Sequence, residues 1–252
     1  MFAEERQREI SSILNEKGRV KVNELSVHFN VSEATIRRDL QEMDRKKLLK
    51  KTHGGAVKID ITNFEPSFID KKDEGHEEKH SIGKYAASMI KDGDTIILDS
   101  GTTTLEISKN ITAKNIIVIT NSIDIASELS NKSGIQLILT GGTLRFTTRA
   151  MVGPICEAML RNFRVDKAFI GANGVSLTDG ITTPNIIEVQ TKKAMIASAN
   201  KTILVVDSSK LESVCFSVIE PVTSISTIIT SGDIPKEVIK DFMRLGIEFI
   251  VS

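Results

Sequence analysis

Two cysteines in 252 residues are too few for a disulfide framework. Cys156 and Cys215 both sit in apolar surroundings with no second ligand close by, which is how buried free thiols look in a reducing cytoplasm. No CxxC or HxxxH spacing is taken to signal a metal, and no cofactor is expected. No apolar run is long enough to span a bilayer, so a membrane is not an expected partner. Charges within the first six residues argue against a signal peptide, and a cytoplasmic protein is expected. Repeats of solenoid period and low-complexity tracts are also missing. Net charge is zero, but the balance is uneven along the chain. Residues 1–58 carry 13 Lys and Arg against 9 Asp and Glu, leaving 20 against 24 for the remainder. A basic amino-terminal module on an acidic body suits a nucleic-acid partner for the first part only.

What is present starts with Val31-Ser32-Glu33-Ala34-Thr35-Ile36-Arg37-Arg38-Asp39-Leu40, which reads as a short helix offered to DNA. Ser32 suits an N-cap, because its hydroxyl can accept an orphan backbone N–H of the first turn. Glu33 places a negative charge near the positive end of the helix dipole. Ile36, Leu40 and Met43 recur at spacings of four and three and form the buried stripe. Thr35, Arg37, Arg38 and Gln41 are then turned away from the core. A guanidinium can fork onto a guanine edge or pair with phosphate, and Ser and Thr hydroxyls reach the backbone. On these ten residues alone, a solvated helical face explains the pattern equally well.

The flanking residues shift that balance. Residues 4–16 form an amphipathic helix with Ile10, Ile13 and Leu14 inward, ended by Gly18. Residues 23–29 have the length of a short helix capped by Asn23, and Asn30-Val31 gives the short link of a helix-turn-helix. Residues 48–57 make two short extended runs around a basic, glycine-containing tip, a β-wing with Lys50, Lys51 and His53. Three helices and a wing make a winged helix-turn-helix over residues 1–57. Its DNA-binding candidates are Ser32, Thr35, Arg37, Arg38 and Gln41 on the helix, with the three wing residues.

Residues 58–75 lose the periodicity, contain Pro66, and read as a linker, partly ordered if Phe64 and Phe68 pack on a neighbour. From residue 76 to 252, helix and strand patterns alternate. Runs at 95–99, 116–120, 137–140, 167–170, 202–207 and 226–230 read as strands. Helices are expected at 76–91 and near 103–110, 122–131, 152–162, 188–199 and 235–245. Strands apolar on both faces and separated by helices imply an α/β domain whose mainly parallel, Rossmann-like sheet is covered on both sides. In such a sheet, ligands bind beyond the carboxyl ends of the strands. The polar motifs fall at those ends: Asp99-Ser100-Gly101-Thr102-Thr103-Thr104, Gly141-Gly142-Thr143-Leu144-Arg145, Gly171-Ala172-Asn173-Gly174 and Asp207-Ser208-Ser209-Lys210. Each alone could be a turn. Together, their hydroxyls, amides, arginine and lysine suit a phosphorylated polyol better than an apolar ligand.

The pairing of Thr35-Ile36-Arg37-Arg38-Asp39-Leu40 with His53-Gly54-Gly55-Ala56 resembles the amino-terminal domain of DeoR-type transcriptional repressors. Lys46-Lys47 departs from the glycine common at that family's turn into the wing. The strand-end motifs, together with Thr120-Asn121-Ser122, the run 166–174 and Thr182-Thr183-Pro184, resemble the sensor domain of the same family. That domain is similar in fold to ribose-5-phosphate isomerase. The resemblance implies a phosphorylated sugar effector, with Ser100, Gly101, Thr102, Thr103 and Thr104 on the phosphate. Sugar hydroxyls and the remaining charges would fall to Asp99, Asn121, Gly142, Arg145, Asn173, Lys192 and Lys210.

A sugar-phosphate isomerase with a DNA-binding appendage is the rival reading. Proton transfer between sugar carbons needs a positioned carboxylate base. Isomerases of this fold resemble one another in an acidic Asp-Gly-Ala-Asp-Glu run at the loop that here reads Gly171-Ala172-Asn173-Gly174. An amide can hold a ligand but cannot take its proton. Asp99, Asp207 and Glu188 remain nearby, so a regulator without enzymatic activity is the better reading rather than the sole one. It is expected to bind double-stranded operator DNA as a homodimer or homotetramer.

Overall fold

A computed structural model describes residues 2–45, 48–57, 65 and 67–252. The turn at Lys46-Lys47, the packing of Phe64, and Pro66 lie outside the described residues. The chain divides into two compact units, Met1–Asp70 and Lys71–Ser252.

The first unit starts with α1 (Ala3–Lys17), which Gly18 ends by entering the left-handed region at φ 72° and donating its N–H to Leu14. β1 (Arg19–Lys21), α2 (Val22–Phe29) and α3 (Glu33–Arg45) follow, then β2 (Lys50–Thr52) and β3 (Gly55–Val57). Ile10, Leu14, Leu25, Ile36, Leu40 and Met43 meet with Leu49 and Ala56 in one small core, so the apolar stripe of α3 faces inward as its spacing requires. Ser32 does cap α3: its Oγ accepts the Thr35 N–H at 3.2 Å. Asn23 does not cap α2. That helix begins one residue earlier, after Lys21, and the Asn23 Oδ1 accepts only the neighbouring Glu24 N–H. The early start follows from β1, which the sequence reading missed. The Val22 N–H bonds Gly54 O at 2.8 Å as the chain leaves the sheet.

β3 lies between β1 and β2, all antiparallel, with Lys21 opposite Gly55. The pairing explains one of the two adjacent glycines. A Cβ on Gly55 would lie 1.9 Å from the Val20 carbonyl oxygen, whereas one on Gly54 would meet nothing within 4 Å. Gly55→Ala should therefore cost about 1–3 kcal/mol through overpacking against backbone. Gly54→Ala should stay within about 0.5 kcal/mol of the parent. Paired thermal melts check the contrast.

α4 (Phe68–Asp73) occupies part of the stretch read as a linker, and Phe68 is buried. The second unit continues with α5 (His76–Ser88), β4 (Thr95–Leu98), α6 (Thr102–Asn110), β5 (Ile116–Thr120), α7 (Ile123–Leu129) and β6 (Ile135–Leu139). β7 (Thr143–Arg145) and β8 (Ala150–Val152) form a hairpin before α8 (Pro154–Arg161), β9 (Val165–Ile170), β10 (Gly174–Ser176), β11 (Gly180–Thr183) and α9 (Ile186–Ala197). β12 (Ala199–Val205), β13 (Ser217–Glu220), β14 (Thr227–Thr230), α10 (Lys236–Arg244) and β15 (Glu248–Val251) complete it.

Seven strands form one parallel sheet in the order β15-β14-β12-β9-β4-β5-β6. All six strands expected from apolar runs are in it, and β15 adds an edge. From β4 the chain builds outward through β5 and β6; from β9 it builds the other way through β12, β14 and β15. β4 and β9 are therefore the neighbours between which strand order reverses, the point beyond whose carboxyl ends open α/β sheets bind ligands. β10, β11 and β13 make a separate antiparallel sheet that the sequence reading did not anticipate.

Candidate nucleic-acid interface and effector cleft

α3 packs on β2 and β3, and its outer face carries the expected residues. Ser32, Arg37, Arg38 and Gln41 are exposed and Thr35 is half-buried. The Ser32 and Thr35 hydroxyls bond each other at 2.9 Å, and Arg37 Nη2 meets Glu33 Oε2 at 3.0 Å one turn back. In the wing, Lys50 and His53 are exposed, and Lys51 is half-buried with its N–H on Asp44 Oδ1 at 3.0 Å. A basic helix face and a basic hairpin tip are held by one small core.

In the second unit, the sheet places Asp99 directly after β4 and Gly171 directly after β9. Asp99 is fully buried and its Oδ2 accepts the Gly171 N–H at 3.0 Å, tying the two strand ends together. Lys192 reaches in from α9, where it is 4% exposed. Its ammonium pairs with Asp99 Oδ2 and donates to Gly171 O at 2.9 Å. Among the described residues, Asp99 Oδ1 has no hydrogen-bond partner. Burial pushes the Asp99 carboxyl up, while the charge and hydrogen bond of Lys192 and the Gly171 N–H oppose that rise.

One turn before Lys192, Glu188 receives Arg145 Nη1 at 2.5 Å and the Thr148 hydroxyl at 2.6 Å, so the β7–β8 hairpin is fastened to α9. Burial alone would raise the Glu188 carboxyl. Lys192, the Thr148 hydroxyl and Arg145 together bring it below its usual range. Arg145 and Lys192, which the resemblance assigns to sugar hydroxyls and the remaining charges, thus come to the cleft already paired with carboxylates.

The remaining candidates divide by what occupies their polar atoms. Asn121 is a scaffold: its Oδ1 accepts the Ser100 N–H at 2.9 Å and its Nδ2 donates to Met151 O at 3.1 Å. Thr104 is fully buried and its hydroxyl donates to Gly101 O at 3.0 Å. Thr102 and Thr103 open α6, whose N-cap Gly101 has no side chain to accept a first-turn N–H. Gly142 is required by close packing, since a Cβ there would lie 2.6 Å from Val152 O. Asn173 accepts the Thr183 hydroxyl at 3.3 Å. Lys210 belongs to another group, 3.8 Å from Asp207 and bonded to the Ser209 hydroxyl at 3.0 Å.

Sequence reasoning missed the residues of α5 at that second group. Glu78 accepts the Ser208 N–H at 2.8 Å and its hydroxyl at 3.0 Å. Lys79 is 4% exposed, held by the carbonyls of Lys71 and Glu74. Burial lowers its pKa, with Asp207 opposing and Lys210 adding to the fall. In sequence, Glu78-Lys79 looks like the wet face of a helix. His76 and His80 stand at HxxxH spacing with their rings stacked 6.4 Å apart; among the described residues no group of three His, Cys, Asp or Glu could hold a metal ion. Among the described residues, too, no helix is long and apolar enough to cross a membrane.

Residues 6–62 match the family model of the DeoR-like helix-turn-helix domain, and residues 74–232 match that of the DeoR C terminal sensor domain. The chain is 37% identical to an uncharacterized HTH-type transcriptional regulator, YulB of Bacillus subtilis, over 95% of this chain and 93% of that one. It is 34% identical to the HTH-type transcriptional regulator GlpR of Haloferax volcanii, over 99% and 98%. It is 35% identical to the HTH-type transcriptional repressor GlcR of Bacillus subtilis, over 100% and 97%. Among solved structures, ribose 5-phosphate isomerase A of Methanocaldococcus jannaschii aligns over 55% of each chain at 21% identity and a TM-score of 0.40.

Proposed function

The chain belongs to the DeoR family of helix-turn-helix transcriptional regulators, and from that premise we propose that it represses a sugar-catabolic operon until a phosphorylated sugar occupies the cleft at the ends of β4 and β9. The observation that carries the effector half is the buried Asp99–Lys192 pair. It leaves one buried carboxylate oxygen without a partner among the described residues, an acceptor that a sugar hydroxyl entering the cleft would satisfy. Beside it, the uncapped first turn of α6 suits a phosphate, through N–H groups and the positive end of the helix dipole. Strand order reverses at this place, which is where open α/β sheets bind ligands.

For DNA, α3 offers Ser32, Thr35, Arg37, Arg38 and Gln41, and the wing offers Lys50, Lys51 and His53. A symmetric dimer or tetramer would set two such surfaces on paired half-sites. Effector binding then favours an arrangement that no longer matches the half-site spacing. By linkage, the effector binds the DNA-free form more tightly by the coupling free energy. That the relative GlcR is named a repressor supports repression as the output that an effector would relieve.

Binding without turnover is the reading supported by the regulators among the relatives and by the carboxylates themselves. Glu188 is committed to Arg145 and Thr148, and the loop after β9 carries Asn173 where a base would be needed. Mixing the protein with ribose 5-phosphate in a coupled assay should give no isomerisation.

The direct test is a melt. Phosphorylated five- and six-carbon sugars should raise the melting temperature and the free sugars should not. At roughly 100 times Kd the stabilisation should reach about 2.7 kcal/mol. A panel in which no sugar phosphate moves the melt removes the effector reading.

A further inference from the structure

The inward side of α3 holds a residue its amphipathic pattern does not require. Asp39 stands among Ile36, Leu40 and Met43 and is 4% exposed. Its carboxylate is gripped from α1 by Arg6: Nε meets Oδ2, and Nη2 meets Oδ1 at 3.1 Å. Arg6 is itself 6% exposed. The next residue of α1, Gln7, donates through Nε2 to Glu42 Oε2 at 3.1 Å. Consecutive residues of α1 thus hold positions three apart on α3, along the turns that carry Arg38 and Gln41.

A buried ion pair is a poor source of stability, because desolvating two charges offsets most of their attraction. Apolar side chains of similar volume do as well or better. What a planar fork adds is direction, since two parallel N–H···O bonds fix rotation as well as distance. We propose that the Arg6–Asp39 fork, with Gln7–Glu42 beside it, sets the angle of α3 on its domain, making Arg6 and Asp39 positioning residues for DNA sequence discrimination. The proposal rests on α3 being the recognition helix. Bidentate readout of a base edge needs placement to within about 0.5 Å and 10–20°. Attraction to phosphate is far less directional and survives a small tilt. A loosened α3 therefore loses discrimination before it loses affinity for DNA in general.

The test uses the full chain, a duplex that the parent selects from a random-sequence pool, and a scrambled duplex of the same length and composition. Arg6→Met combined with Asp39→Leu replaces the pair by apolar side chains of similar size. The variant should melt at or above the parent and keep parental affinity and salt slope on the scrambled duplex. Its preference for the selected duplex should fall roughly ten-fold, the scale of one base contact. Parental preference in the folded variant overturns the proposal, and so does an equal loss on both duplexes. If that variant does not fold, Arg6→Lys decides, because it keeps the charge and gives up the fork. Its preference should fall roughly three-fold with scrambled binding unchanged, and parental preference would overturn the idea. A parent that selects no duplex refutes the recognition-helix reading and this proposal with it. A parent that selects one, beside a variant that discriminates equally, refutes this proposal alone.

Discussion

A chain carrying both Arg37→Ala and Arg38→Ala should melt with the parent and lose its operator. Both side chains are exposed on α3 and neither belongs to the core beneath it. Surface substitutions of that kind stay within about 0.5 kcal/mol. The Glu33–Arg37 pair at 3.0 Å joins side chains that are each about half exposed, and such a pair one turn apart on a helix contributes roughly 0.3–0.5 kcal/mol. On DNA, each guanidinium should contribute about 1–3 kcal/mol, whether it forks onto a base edge or is desolvated against a phosphate. The double variant should then bind the parent's selected duplex roughly thirty-fold to twenty-thousand-fold more weakly, at 1.4 kcal/mol per factor of ten. Adjacent residues need not add, so each single variant is measured beside the double. Lys50→Ala and Lys51→Ala should behave differently, weakening selected and scrambled duplexes alike and lowering the salt slope by about one per lost phosphate contact. Gel shifts at several salt concentrations read all of this. A double variant that matches the parent would remove α3 as the recognition helix.

The inner strands of the sheet were legible because they are largely buried on both faces. Runs such as Ile116-Ile117-Val118-Ile119 have no other use in a chain whose helices alternate with them. The stripe Ile36, Leu40 and Met43 and the Ser32 cap were legible because each rests on neighbours within four residues. What escaped depends on partners distant in sequence. β1 exists because Val20 pairs with Ala56, and three residues carry no pattern that announces it. The shift of α2 away from an Asn23 cap follows from that same strand. In the cleft, the residues at the strand ends could be picked out by type, but their couplings could not. Asp99 and Lys192 meet across 93 residues, and Arg145 and Glu188 across 43. A lysine buried to this degree needs a counter-charge, yet nothing local says which carboxylate provides it. The resemblance could assign Lys192 and Arg145 to sugar hydroxyls and remaining charges, but not show that folding brings each to the cleft beside an acid.

That pairing makes Lys192→Met the substitution with the largest expected effect on the fold. Lys192 is 4% exposed, and its ammonium is shared between Asp99 and the Gly171 carbonyl. Removing it leaves Asp99 in the interior with one N–H donor among the described residues, from Gly171. Breaking one side of a buried pair costs about 3–5 kcal/mol. For a domain of this size that is a fall in melting temperature of roughly 6–20 °C. The loss should depend on pH in a definite sense. Burial already pushes the Asp99 carboxyl up, and Lys192 is first among the groups that oppose it, so the variant's folded pKa moves further above the unfolded one. A carboxyl raised in this way stabilises the fold below its unfolded pKa and ceases to do so as pH rises through the folded pKa. Lys192→Met should therefore recover stability on acidification. Adding Asp99→Asn removes the stranded charge while its side-chain oxygen can still accept the Gly171 N–H, so the double variant should melt close to the parent. It should nevertheless ignore sugar phosphates, because both the free carboxylate oxygen and the ammonium are gone, and it should still bind the parent's selected duplex. A single variant that melts within about 1 °C of the parent would contradict the buried pair. A double variant that sugar phosphates stabilise as they do the parent would remove this cleft from effector binding.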